Sequence, residues 1–172
     1  MPKISTENVA SAVRKLEAMS PAKQAALADE IFERQPNLMD TCLVQHEMGI
    51  ANGGLEHTTN MLLICFQAMK ESGLKWPVIS ADEQQRQLTR MVDAIQLSKR
   101  QASRGLADGV TQHFFMSHPE QPLLAYILEM CNSWLQQIAV RGTTAETDQH
   151  VVMTCLNFVN CIAYAETKAR SA

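Results

Sequence analysis

Long hydrophobic runs are absent from this 172-residue sequence. The longest uninterrupted apolar segments, Met61 to Phe66 and Leu123 to Leu128, have six residues each, whereas a membrane span needs roughly 18 or more. Charged residues are spread through residues 1–19, which therefore lack the apolar core of an export signal. These absences predict a protein that does not span a membrane and that resides in the cytoplasm.

A strong excess of one charge is also absent. The sequence has 15 Lys and Arg against 18 Asp and Glu, with a formal net charge of -3. This balance gives no global attraction to nucleic acid or to an anionic membrane. Any binding to nucleic acid would have to use a local basic surface.

Paired cysteine motifs are missing. The five cysteines are an odd number and contain no C-x-x-C spacing, so they indicate neither a disulfide framework nor a zinc knuckle. They are Cys42, Cys65, Cys131, Cys155 and Cys161. Each lies in an apolar stretch with helical character, where a free cysteine usually behaves as a small buried hydrophobe. We interpret all five as inert core thiols.

What the sequence has in abundance is helix-forming residues. Ala, Leu, Met and Gln are frequent, and their side chains lose little freedom in a helix. Most proline and glycine residues fall between periodic stretches, and no alternating strand pattern is present. The sequence predicts an all-α single domain over residues 1–172, built as a bundle of about seven or eight helices.

Capping signals and breakers define the expected helix boundaries. Ser20 followed by Pro21, and the capping box from Ser80 to Glu83, each begin a helix. The predicted helices lie near residues 6–19, 20–34, 37–48, 55–72, 80–100, 103–116, 119 or 122–140, and 145–168. Three segments, 55–72, 122–140 and 150–165, are apolar around most of their circumference and must be covered by other helices or by a partner chain.

A weak internal similarity suggests two copies of a three-helix unit, residues 20–73 and 103–168. The alignment places His57 on His150, each near the start of a long apolar helix. A pseudo-twofold arrangement would then pair the two histidines around an ion or a ligand. The alternative is that any two amphipathic helices share such matches by chance.

The densest ionisable cluster surrounds a Gly-rich turn. It consists of Cys42, His46, Glu47, Glu56 and His57. The candidate ligands for a metal ion or a small molecule are His46, Glu47, Glu56 and His57, with His150 added by the internal similarity. Imidazole and carboxylate groups on antiparallel helices are how helical bundles build metal sites. Neither H-E-x-x-H nor E-x-x-H is present, however, so polar residues at helix ends are the favoured interpretation. The sequence predicts no cofactor and no bound transition metal.

A basic stripe is the third candidate feature. Helical spacing places Arg86, Arg90, Arg100 and Arg104 along one face if the helix is unbroken. Such a stripe can meet phosphates, but Asp93 interrupts it and no aromatic residues alternate with it. A solvated or partner-facing surface is the favoured interpretation.

No catalytic grouping is recognisable, because the sequence lacks G-x-S-x-G, the P-loop spacing and G-x-G-x-x-G. We therefore expect an interaction or regulatory protein and not an enzyme. A homodimer is expected to cover apolar surface left on helices 122–140 or 145–168. The first alternative is a helical bundle that binds a small ligand or a metal ion. The second is a nucleic-acid-associated regulator that uses the 86–104 face.

Overall fold

The structure is a computed structural model that describes residues 1–102, 116–139 and 145–169. Its helices are α1 (Thr6–Glu17), α2 (Pro21–Arg34), α3 (Pro36–Glu47), α4 (Asn52–Glu71), α5 (Ala81–Ala102), α6 (Gln121–Ala139) and α7 (Ala145–Tyr164). Two short strands, β1 (Leu74–Lys75) and β2 (Lys168–Ala169), pair antiparallel. Helices make up 79% of the described residues, which confirms the predicted all-α class.

The helix ends follow from local signals. The Ser20 hydroxyl accepts a hydrogen bond from the backbone N–H of Lys23, and the Ser80 hydroxyl accepts one from that of Glu83. Each bond satisfies an N–H group that has no partner inside its own helix. Gly49 follows α3 with a φ of 78°, a conformation that glycine adopts at little cost. The predicted caps are thus confirmed, while the predicted helix at 103–116 lies almost wholly outside the described residues.

Helix α4 forms the centre of the bundle. It packs against α1, α2, α3, α6 and α7, and every residue from 61 to 69 is buried. This position explains why its sequence is apolar on almost all sides, since each face meets another helix. Even so, none of the described helices is long and apolar enough to cross a membrane.

The segment 74–79 lies against the bundle, as its apolar character predicts. The Gln35 side chain donates to the carbonyl of Pro77 at 2.7 Å and accepts from the N–H of Ile79 at 2.9 Å. Ile79 is buried beneath these bonds. One glutamine therefore fixes an extended segment that has no helical hydrogen bonds of its own.

The location predicted for exposed apolar surface is wrong. Among the described residues of α6 and α7, Tyr164 is the one exposed large hydrophobic side chain, whereas Leu43, Val44 and Met48 are exposed near the end of α3. The apolar faces of α7 are covered because this helix packs against α4, α5 and α6. The homodimer itself stays a prediction.

The internal duplication also stays a prediction. Its second unit, residues 103–168, includes segments outside the described residues. Within the described part, His57 and His150 have different surroundings. His57 contacts Trp134 of α6, whereas the ring of His150 is exposed beside a groove between α3, α5 and α7.

Candidate metal and thiol site

Three helices each contribute one metal-ligating side chain to a single point in the interior. His57 comes from α4, Cys131 from α6 and Cys155 from α7, and one ligand atom of each lies within 4.8 Å of the others. The two cysteines are 1% and 0% exposed, and His57 is half-buried. They meet because α4, α6 and α7 all pack against one another.

The His57 ring is held by stacking. Its plane lies 11° from that of the Trp134 indole, with 4.8 Å between the ring centroids. Its Nε2 atom is buried and has no hydrogen-bond partner among the described residues. Leaving a buried polar atom unpaired typically costs about 1–3 kcal/mol. An imidazole nitrogen that no protein group occupies is available to coordinate an ion.

A hydrogen bond couples the two cysteine thiols. A hydrogen bond from the Cys155 thiol lowers the pKa of Cys131, and His57 lowers it further, while burial acts in the opposite direction. The same hydrogen bond, reinforced by burial, raises the pKa of Cys155. The pair therefore favours a thiolate on Cys131 and a thiol on Cys155. A thiolate is the form that binds metal ions.

The other three cysteines differ from this pair. Burial raises the pKa of Cys42 to about 12 and that of Cys161 to about 12, and it raises the pKa of Cys65 further still. These thiols stay protonated at neutral pH. All five cysteines are buried and free, as predicted. The interpretation as inert core thiols suits Cys42, Cys65 and Cys161. Cys131 and Cys155 instead have the environment of a candidate metal-binding site.

The cluster predicted around the Gly-rich turn does not form. Of its members, His46, Glu47, Glu56 and His150 are exposed, and His57 alone points to the interior cluster. Among the described residues, no group of three metal-ligating side chains includes any of the four exposed ones. His46 and Glu47 occupy the last turn of α3, where the helix ends at the solvent.

The described side chains of the basic stripe interact with other groups of the protein. Arg86 forms an ion pair with Glu83 on its own helix. Arg90 lies 4.1 Å from the centre of the Tyr164 ring and donates to its hydroxyl at 3.1 Å. The side chain of Arg100 and all of Arg104 lie outside the described residues. The two described arginines thus already contact groups of the protein.

Comparison with known proteins supplies no analogue, since no protein-family model, curated protein or solved structure matches the chain. The chemistry of His57, Cys131 and Cys155 is therefore the basis for assigning a function.

A close helix contact beside the site gives a first prediction. A Cβ atom at Gly54 would lie 2.8 Å from Cγ2 of Ile50 and 3.0 Å from Cγ2 of Val151, a residue of α7. Gly54→Ala is expected to lower the free energy of unfolding by about 1–3 kcal/mol, because the added methyl group overpacks this contact. The measurement is equilibrium unfolding in urea.

Gly53 offers a matched control for that substitution. It neighbours Gly54 in the same helical turn, yet a Cβ there would meet nothing within 4 Å. Gly53→Ala should raise the free energy of unfolding by about 0.4–1 kcal/mol, because alanine restricts the unfolded chain. Equal stabilities for the two variants would show that α4 and α7 are not closely packed at this point.

Proposed function

We propose that the protein binds one thiophilic metal ion, Cu(I) or Zn(II), through the imidazole of His57 and the sulfur atoms of Cys131 and Cys155. The observation that carries the proposal is the convergence of these three ligand atoms within 4.8 Å. Zn–S bonds of about 2.3 Å and Zn–N bonds of about 2.0–2.1 Å place tetrahedral ligands roughly 3.5–3.8 Å apart. A contraction of at most about 1.3 Å would therefore bring the three ligand atoms to these separations.

The ligand set selects the class of ion. Two sulfurs and one imidazole nitrogen suit soft or borderline ions, whereas Mg²⁺ and Ca²⁺ require oxygen ligands. Binding would release the proton that Cys155 carries, because both sulfurs coordinate as thiolates. Two thiolates neutralise Zn(II) fully, which favours Zn(II) in a buried site. Three ligands complete a trigonal Cu(I) site, whereas tetrahedral Zn(II) needs a fourth.

Cys65 is the residue that we propose as that fourth ligand. It is fully buried, and it is close enough to Cys131 and Cys155 for their charges to affect one another's pKa values. Its own raised pKa means that it would ligate only if the incoming ion displaces its thiol proton, which is released to the solvent. Zn(II) binding would therefore recruit a third thiol, and Cu(I) binding would not.

The surroundings of the site favour holding an ion over catalysis on one. Cys131 and Cys155 are excluded from solvent, and Trp134 covers a face of His57. A catalytic metal site keeps an accessible position for substrate, whereas a structural or storage site is closed. The cytoplasmic location predicted from the sequence would also keep both thiols reduced.

The proposal predicts tight binding that depends on three side chains. Under anaerobic, reducing conditions, Cu(I) is titrated against bathocuproine disulfonate, and Zn(II) against a chromophoric chelator. One ion should bind per chain, and Cys131→Ala or Cys155→Ala should weaken binding at least 100-fold because each removes a thiolate ligand. His57→Asn should weaken it about 10- to 100-fold, as loss of one supporting interaction does in metal sites.

Cys161→Ala is the matched control. Cys161 is equally buried, yet it lies outside the three-residue cluster. This variant should bind the ion as the unmodified chain does, with circular dichroism confirming that each variant is folded. The proposal is wrong if the unmodified chain binds neither ion, or if Cys161→Ala weakens binding as much as Cys131→Ala.

Interaction with another protein, the role that the sequence favours, remains a second candidate. Its support is the exposure of Leu43, Val44 and Met48 near the end of α3. Val44 and Met48 are four residues apart and therefore share a helix face. Homodimer formation through this face stays a prediction. The nucleic-acid role ranks third, because Arg86 and Arg90 already contact the protein itself.

A further inference from the structure

An open groove of about 350 Å³ lies between α3, α5 and α7, and none of the three proposed metal ligands lines it. Its volume falls in the range of sites that bind small molecules, about 300–1,000 Å³. Polar side chains line part of the groove, and apolar side chains such as Val44 and Leu88 line another part. Two of the polar residues carry hydrogen-bonding atoms that the described protein leaves unused.

The first of these atoms is Oε1 of Gln45. This side chain is 1% exposed, and its Nε2 atom donates to the Thr154 hydroxyl at 2.8 Å. That hydroxyl uses its single proton on the carbonyl of His150, at 2.9 Å, so it can only accept from Gln45. The amide orientation is therefore fixed. Oε1 is left as an acceptor without a partner among the described residues.

The second atom is Oδ1 of Asn157, on the same groove. Asn157 is 8% exposed, and its Nδ2 atom donates to the backbone carbonyl of Gln84 at 3.1 Å. A carbonyl cannot donate, so this amide orientation is fixed as well. Oδ1 has no donor among the described residues. Two groove-lining side chains, both more than nine-tenths buried, thus each offer an unpaired acceptor.

The charges of the lining agree with these acceptors. Asp40 supplies a carboxylate, and the described residues that line the groove include no lysine or arginine. A ligand that brings N–H donors and a positive charge is complementary to this surface, whereas an anion is not. Both unpaired oxygens are screened from bulk water, which strengthens any hydrogen bond that they accept. Met48, exposed and flexible on the lining, is a side chain that can move to admit such a ligand.

We propose that this groove binds a small organic ammonium compound. Its N–H groups would donate to Oε1 of Gln45 and Oδ1 of Asn157, and Asp40 would balance its charge. Its apolar part would lie against Val44 and Leu88. This site is independent of the metal site, and either can exist without the other.

The test compares three probes that share an apolar chain and differ in the head group. They are n-hexylamine, which is an ammonium ion at neutral pH, 1-hexanol and sodium hexanoate. In an NMR titration, n-hexylamine should bind with a Kd on the order of 1 mM, an affinity appropriate for so small a ligand. It should also shift the side-chain amide signals of Gln45 and Asn157. Hexanol should bind at least 10-fold more weakly, and hexanoate should not bind.

Substitution supplies the second arm. Gln45→Leu and Asn157→Leu should each weaken binding of n-hexylamine at least 10-fold, because leucine is similar in size to the residue it replaces but has no hydrogen-bond acceptor. Gln136→Leu makes the same chemical change at an exposed position of α6 and should leave the affinity unchanged. The comparison of the three probes uses the unmodified chain, so its result does not depend on whether a variant folds. Equal binding of n-hexylamine and 1-hexanol, or no binding of n-hexylamine, would overturn the proposal.

Discussion

Replacing Glu120 with alanine is expected to lower the free energy of unfolding by about 2–4 kcal/mol, because two backbone N–H groups lose their acceptor. The carboxylate of Glu120 is fully buried and accepts the backbone N–H groups of Lys3 at 2.8 Å and Ile4 at 3.0 Å. Ile4 is itself buried, so its N–H would find no water after the substitution. The segment before α1 would lose its attachment to the start of α6.

Equilibrium unfolding in urea measures this effect. Glu129→Ala is the control, since Glu129 is an exposed residue of α6, the helix that Glu120 precedes. Its removal should change the free energy of unfolding by no more than about 0.5 kcal/mol, as at most surface positions. A loss below 1 kcal/mol for Glu120→Ala would show that the N-terminal segment does not depend on this carboxylate.

Phe158→Ala should have an effect of similar size through a different cause. Phe158 is the largest of the fully buried side chains, with 1% of its surface exposed. Removing the ring leaves a cavity between helices that cannot fully close, which typically costs about 3–5 kcal/mol for phenylalanine. The expected result is a lower urea midpoint at an unchanged slope, because the native fold is retained.

Phe32→Ala deletes the same atoms at the surface. Phe32 is 54% exposed, so much of its ring already contacts water in the folded state. Loss of the Phe32 ring should lower the free energy of unfolding by about 1 kcal/mol or less, since folding removes only part of its apolar surface from water. Similar losses for Phe32→Ala and Phe158→Ala would contradict the burial of Phe158 among the helices.

The fold was largely predictable because helix formation leaves local signals. Ser20 and Ser80 cap the helices that follow them, and Gly49 ends α3, each through contacts with residues only a few positions away. The β1–β2 pair escaped prediction because two residues are too short to show alternation. Its strands also come from distant parts of the chain.

The proposed metal site was not predictable in the same way. His57, Cys131 and Cys155 are far apart in sequence and lie on three helices, so no ligand spacing exists to be recognised. Cys131 and Cys155 also lie in stretches with helical character, as Cys65 does, and no motif distinguishes them from it. One signal was available. His57 occupies the same helical stripe as Met61 and Cys65, a stripe that is buried in the bundle, and an ionisable group on such a stripe is unusual.

The groove acceptors were hidden for a related reason. Gln45 and Asn157 are ordinary polar residues in sequence, and their burial depends on how α3, α5 and α7 pack together. The unpaired oxygens become visible only when each amide group is assigned its donor partner. Local sequence patterns contain no information about such assignments.

The three-helix origin of the metal ligands has a thermodynamic consequence. Unfolding separates α4, α6 and α7, so the high-affinity arrangement exists only in the native chain. By mass action, a bound ion would raise the free energy of unfolding by about 2.7 kcal/mol when the free ion is present at 100 times its Kd. The ion would act as a reversible cross-link between distant parts of the chain. Two preparations that differ only in metal content would melt at different temperatures.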